Sequence, residues 1–335
     1  MGVGIANSHQ RIFPVHQSKF LTALTGVCLL PLQLAMAHGF AGPHMFISTL
    51  LIDDPNVADE ASLPTFMFLP QPNDGGVTPG LYGLSFEFDK RITENFGFSL
   101  SDGYQWLHAP GVGTASGWQN LEGQLKYKVY VNLEHEFMLS LGVSREFGGT
   151  GATGSTGAAL DNDDTSSTTP TMFWGKGFGD LPIGILRPLA LTGTFGYQIV
   201  DKKLKVIGAD PDSGDPLFNN GASNQWNGGL SLQYSIRYLQ SQVKDLGLPE
   251  FFNKLTPVAE VAWSSPASKP NQSSTQYLFG LGVNYTAETY ALTVEALIPG
   301  NRQTGSHLGL IAQFHLYFDD LFPSSLGKPI VNWWQ

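Results

Sequence analysis

Lys126 and Lys128 stand two residues apart in "EGQLKYKVYV", and Arg237 lies in the alternating run "NGGLSLQYSIRYL". Charges at a spacing of two share one face of an extended chain. Glu87, Glu122, Glu260, Glu295 and His315 occupy the matching face of other such runs. The chemistry open to this set is electrostatic. It could form a charged constriction that selects permeant molecules, or an ion-pair network that fills a narrow interior. Both readings stand at this level, and in either one the two lysines need acidic partners or anions.

Other constellations are thinner. "DNDD" (Asp161, Asn162, Asp163, Asp164) and "DPDSGD" (Asp210, Asp212, Asp215) carry oxygen ligands at near calcium-loop spacing, without the downstream bidentate Glu that such loops use. They read as solvated loops first and metal sites second. His38 would become a new N-terminus after the processing described below, with His44 close behind, and an α-amine plus imidazole can chelate copper or zinc. No Gly-x-Ser-x-Gly elbow, zinc-protease helix or phosphate-binding loop occurs, so neither an enzyme nor a bound cofactor is expected.

The composition narrows the class. Charged residues make up 14% of 335, against roughly 25% in an ordinary soluble domain, yet mean hydropathy is only −0.05. That pairing excludes a bundle of membrane helices. Glycine (39 residues) and aromatics (12%) are plentiful, as tightly turned strands with aromatic belts require. The net charge of −10 argues against a nucleic-acid partner, whose phosphates need basic surfaces.

Arg11 and Lys19 precede "FLTALTGVCLLPLQLAMA", which ends in the small-residue signature Ala35-Met36-Ala37. This is the pattern of a secretory signal peptide over residues 1–37. Its apolar run, broken by Pro31, is short for a membrane helix of ~20 residues. Cleavage would also remove Cys28, the single cysteine.

Alternation between apolar and polar side chains then recurs along the chain, from the run at Tyr82–Phe88 through those at Leu121–Val131, Phe137–Val143, Leu189–Ile199 and Tyr277–Tyr285 to Leu308–Phe318. With less regular stretches it predicts about twelve strands (range 10–14) of ~9–12 residues, the length that crosses a bilayer at a tilt. Every second connection is short, as in "NLEH" and "TAET". The two longest, rich in Gly, Ser and Asp, share the opposite parity. A soluble sandwich has no reason to sort its loops this way. The fold class expected is all-β, a transmembrane antiparallel barrel with short periplasmic turns and long extracellular loops. The expected organisation is a periplasmic arm over 38–60, the barrel over 61–318 and a periplasmic tail over 319–335.

A hydrolytic barrel of the outer-membrane phospholipase type would need a His-x-Ser pair. "HLGLIAQFHLYF" supplies His307 and His315 without it. The stretches "HGFAGPHMF", "SLPTF", "SGWQNLEGQLKY", "GKGFGDLP", "LRPLALTGTFGY", "VKDLGLPEFFN" and "EALIPGNRQTG" resemble a proteobacterial family of outer-membrane transporters grouped with meta-pathway phenol-degradation proteins. The resemblance runs from residue 38 to about 320. It implies an outer-membrane barrel and suggests passage of small aromatic or other apolar compounds; it supplies no functional residues. The expectation is a monomer surrounded by outer-membrane lipid that lets a small-molecule solute diffuse through. The alternatives are a non-conducting barrel, acting as adhesin or structural component through its long loops, and a membrane-embedded hydrolase. A lumen filled by the N-terminal arm would favour the non-conducting barrel.

The full-length chain should be processed after Ala37 and fractionate with the outer membrane, migrating faster on a detergent gel when unboiled than when heated. Recovery as a soluble periplasmic protein with no heat shift would overturn the class.

Overall fold

The computed structural model describes residues 39–72, 76–160, 162, 164–209, 216–219, 221–267 and 274–332. The signal segment, His38, Asp161, Asp163, Asp210, Asp212 and Asp215 lie outside the described residues.

Twelve long strands follow one another: β1 (Glu60–Pro70), β2 (Gly80–Thr93), β3 (Phe96–Ala109), β4 (Glu122–Asn132), β5 (Phe137–Glu146), β6 (Ser167–Gly177), β7 (Leu189–Val200), β8 (Gln225–Tyr234), β9 (Leu255–Pro266), β10 (Gln276–Thr286), β11 (Tyr290–Pro299) and β12 (Gly309–Tyr317). Each pairs antiparallel with the next, and β12 returns to β1 with Leu310 opposite Phe68, so the sheet closes. Closure follows from the solvent. Hydrocarbon offers no partner for a free strand edge, so every backbone group must be paired within the protein. Outer connections add two small pieces: Gly113–Trp118 extends the sheet beside the outer half of β3, and Val206–Ala209 pairs with Pro216–Phe218.

The two faces of the wall are inverted relative to a soluble protein. Outside stand Leu125, Leu141, Leu281, Leu292 and Val294, each 45–53% exposed. Inside, Ser140, Thr192, Ser231, Asn284 and Thr293 are all but fully buried. Such an arrangement is stable only where the exterior is lipid. Aromatic pairs mark both ends of the apolar band. Phe96–Tyr127, Tyr130–Phe137 and Tyr285–Tyr290 stand towards the short turns, while Phe68–Tyr82, Tyr104–Trp118 and Tyr197–Trp226 stand towards the long loops.

Strict alternation in the wall breaks at three register shifts, one of them in β2 between Arg91 and Thr93. In β4 the register shifts between Lys128 and Tyr130, so Val129 and Tyr130 are both exposed. Val131 therefore turns inward onto the cluster of Ala41, Phe46, Met138 and Ala190, where unbroken alternation would put it outside. In β1 the shift falls between Ser62 and Thr65.

The apolar face of β8 gives a direct test. Leu232 is 44% exposed, whereas its neighbour Gln233 is buried beneath the arm described below. Asn227, higher on the inner face, borders open space instead. Leu232→Arg should impair membrane insertion by about 2–4 kcal/mol, and Asn227→Arg should leave it nearly intact. Folding yields into bilayers under a urea series would measure the difference; equal damage would refute the face assignment.

Candidate functional site

The interior is occupied by a segment that the sequence reading placed in the periplasm. Phe40–Ala41 and His44–Met45 form a small hairpin at the periplasmic end. Gly42, at φ 65°, makes its turn, where a side chain would collide with the Leu133 carbonyl. From Phe46 the chain climbs into the barrel, turns at Leu50–Asp53 and descends to Asn56. Within the expected periplasmic arm over 38–60, the middle part differs: residues 46–56 form a re-entrant loop in the lumen. The reason is physical. Inward-facing polar groups need partners, and the loop's backbone and acids supply them.

The ascending limb docks on β8 and β9. Ile47 N donates to Gln233 Oε1 at 3.2 Å. At the apex, Leu50 N and Leu51 N both donate to Glu260 Oε2, at 3.0 and 3.1 Å. Ile52 packs over Gly229, and Leu51 lies over Gly280 beside Glu295, where a β-carbon on either glycine would leave no room. The descending limb docks on β4 and β5. Lys126 Nζ pairs with Asp53 Oδ2 at 2.6 Å and donates to the Asp54 carbonyl at 3.1 Å. Lys128 reaches Asn56 at 3.4 Å, and Ser140 Oγ donates to the Pro55 carbonyl.

Both ends of the loop are clamped at the periplasmic rim. His44 lies 3.5 Å from Glu136, which also accepts hydrogen bonds from Tyr238 OH at 2.9 Å and Gly179 N at 2.7 Å. Burial acts to raise the Glu136 carboxyl, but these hydrogen bonds and the His44 imidazole outweigh it and hold the group below its ordinary value. Where the chain leaves the lumen, Asp59 receives Lys90 at 2.6 Å and Arg91 Nε at 2.9 Å. Arg91 continues to Asp319 and to the Gly327 carbonyl, and Lys90 to the carbonyls of Leu326 and Lys328. One basic pair thereby joins the arm, the wall and the C-terminal tail.

Seven of the eight charged candidates face the interior, in different settings. Lys126, Lys128 and Glu260 hold the loop. Glu295 is fully buried beside it. His315 Nε2 lies 3.1 Å from Glu60, and its Nδ1 is 3.1 Å from Ser62 Oγ. Glu87 and Glu122 border cavities. Arg237 stands apart from these seven, at the periplasmic end, where it borders a cavity of about 280 Å³ with Met45 and Ile47. β8 ends at Tyr234, and Ser235 Oγ accepts from Tyr238 N to start a helical turn. Arg237 is therefore exposed at the periplasmic end, away from the mid-barrel lumen. Of the metal candidates, His44 is buried between the rings of Phe46 and Tyr238, and no cluster of three or more potential ligands occurs among the described residues.

Asp53 and Asp54 escaped sequence reasoning, and alternation put Gln233 and Ser140 on the inner face without showing that the loop is their partner. A signal existed: Lys126 and Lys128 share their strand with a single acid, Glu122, while "LLIDDP" carries two acids with no base nearby.

Three cavities border the loop, the periplasmic one on Ile47 and two at its apex. An outer one of about 680 Å³ reaches from Leu51–Asp53 to Asn162 and Gln303 in the outer connections. A second of about 330 Å³ follows the β1–β2 wall down to Ser62 and Glu87. These two share Leu51, Ile52, Asp53, Gln105 and Gln119 in their walls.

The fold is that of outer-membrane β-barrels. An outer membrane channel from Pseudomonas putida F1 superposes with a TM-score of 0.50 at 11% identity, over 78% of this chain and 95% of that one. The beta domain of the Bordetella autotransporter Brka gives 0.46 at 13% identity, over 78% and 99%. The NanC porin gives 0.44 at 9%, over 77% and 99%. No family model and no curated protein matches the chain.

The carboxylate of Glu260 is the acceptor that both apex amides share. In Glu260→Leu the amides of Leu50 and Leu51 should exchange hydrogen at least about tenfold faster, since an abandoned buried donor costs about 1–3 kcal/mol. Unchanged protection by mass spectrometry would show that the apex is held by packing alone.

Proposed function

We propose that this protein is a monomeric outer-membrane channel for passive diffusion of a small molecule, with the re-entrant loop as its constriction. The observation that carries the reading is the outer cavity. It lies within a closed wall, opens towards the long loops and ends on the apex of a segment held by side-chain contacts. Diffusion down a gradient requires no cofactor. The resemblance names aromatic and apolar compounds as the first solutes to try.

One observation favours a second reading. The loop crosses the middle of the lumen, which suits a barrel that conducts nothing and acts through its outer connections. The hydrolase alternative has less behind it. Ser306 Oγ lies 2.9 Å from His307 Nδ1 but donates its proton to the Gln71 carbonyl, so the pair lacks the arrangement of a nucleophile and its base.

Conductance separates the two main readings. Wild type should give small, well-defined currents in planar bilayers. Lys126→Met combined with Glu260→Leu, which removes the partners of Asp53 and of the apex amides, should raise unit conductance several-fold while the heat shift on gels persists. Silence from both proteins would establish the non-conducting barrel. Equal currents from both would show that the loop is no constriction.

A further inference from the structure

The outer cavity has a wall chemistry that the charged candidates do not describe. Nine side-chain amides line it, three from the connections, on Gln71, Asn162 and Gln303, and six from the wall, on Gln105, Gln119, Gln124, Gln198, Asn227 and Gln276. The six come from strands all round the barrel, from β3 to β10, with Gln119 just beyond the short strand beside β3. Five of these six, on Gln105, Gln119, Gln124, Asn227 and Gln276, make no side-chain hydrogen bond to another described residue. Their donors and acceptors are therefore available to whatever enters. Each amide offers two N–H donors and a carbonyl acceptor, the complement of a hydroxyl group that both gives and takes a proton.

Charge sets a second limit. The charged residues in the lining are Asp53 and Glu122, both acidic. The nearest cations are already engaged: Lys126 lies on Asp53 and over the Phe173 ring, and Lys128 reaches Asn56. An anion entering the cavity meets two carboxylates and no unengaged base among the described residues that line it. Leu69, Leu160 and Phe173 add carbon surface between the amides, which suits the C–H faces of a sugar ring. A volume of about 680 Å³ is within the range of small-ligand sites, about 300–1,000 Å³.

We propose that the outer cavity binds uncharged, polyhydroxylated solutes of the sugar or polyol class, against both anions and apolar aromatics. The assignment rests on the channel reading and replaces the aromatic solutes suggested by the resemblance. An apolar solute would take water from amides without replacing its hydrogen bonds, and a site built to bond hydroxyls rejects an analogue that lacks them.

Equilibrium dialysis on the purified full chain in detergent provides the test, with radiolabelled sucrose as probe and glucuronate and p-cresol as competitors. Sucrose should bind saturably, and neither competitor should displace it. Gln105→Leu with Gln124→Leu should weaken binding about tenfold while retaining the heat shift on gels. The proposal is overturned if sucrose fails to saturate, if the double variant binds it unchanged, or if glucuronate or p-cresol displaces it. The same preparation in a planar bilayer reads the channel separately. Currents without sucrose binding would remove this site and spare the channel, whereas sucrose binding without currents would remove the channel and leave a binding site in a closed barrel.

Discussion

Everything in this molecule follows from the absence of water on one side of its wall. A backbone N–H or C=O facing hydrocarbon has no partner except another strand, so the twelve strands must close. Closure then dictates side-chain chemistry. Alternate residues are committed to lipid, and the rest are committed to an enclosed space too narrow to leave empty. The exterior is solved by leucine, valine and aromatic rings, which need nothing specific. The interior is the harder half, because its serines, threonines, amides and charges must each find a partner.

The re-entrant loop answers that need. Its backbone amides reach Glu260 and Gln233, its carbonyls receive Lys126 and Ser140, and Asp53 neutralises Lys126. The loop makes no ladder with the wall, so its hold is a small number of discrete contacts rather than a continuous row. That is the kind of attachment that can give way locally without loss of the barrel. The rim clamps have a different character. Asp59, Lys90, Arg91 and Asp319 form a buried network tied to tail carbonyls, so the loop is anchored at its base and more lightly held at its tip.

This distribution gives the lumenal charges a meaning that neither initial reading contained whole. Lys126 and Glu260 belong to an internal network, and that network's partners lie on the loop, not on opposing strands. The charge expected to select solutes is largely spent on holding the segment that narrows the lumen. On the proposed channel reading, selectivity in the outer half falls to amides and hydroxyls, groups that discriminate by hydrogen bonding more than by field.

The class was legible in the sequence because its signals are local. Alternation with period two, strand length, the parity of long and short connections and the low charge content can all be read from neighbouring residues, and lipid makes the same demand of every strand. The face of Leu232 and the inward placement of Glu122, Lys126, Glu260 and Glu295 follow from this. Three features were decided by tertiary structure. Val131 points inward because a bulge at Lys128–Tyr130 inserts one residue, and alternation cannot count an insertion it does not contain. Arg237 leaves the lumen because Ser235 caps a turn whose Tyr238 is claimed by Glu136, 102 residues earlier. The loop lies inside because Leu50 and Leu51 meet Glu260 across about 210 residues of chain. Its own sequence, two leucines, an isoleucine and two aspartates, has no periodicity that points to a lumen. Only a closed wall of unsatisfied polar groups could give it that place.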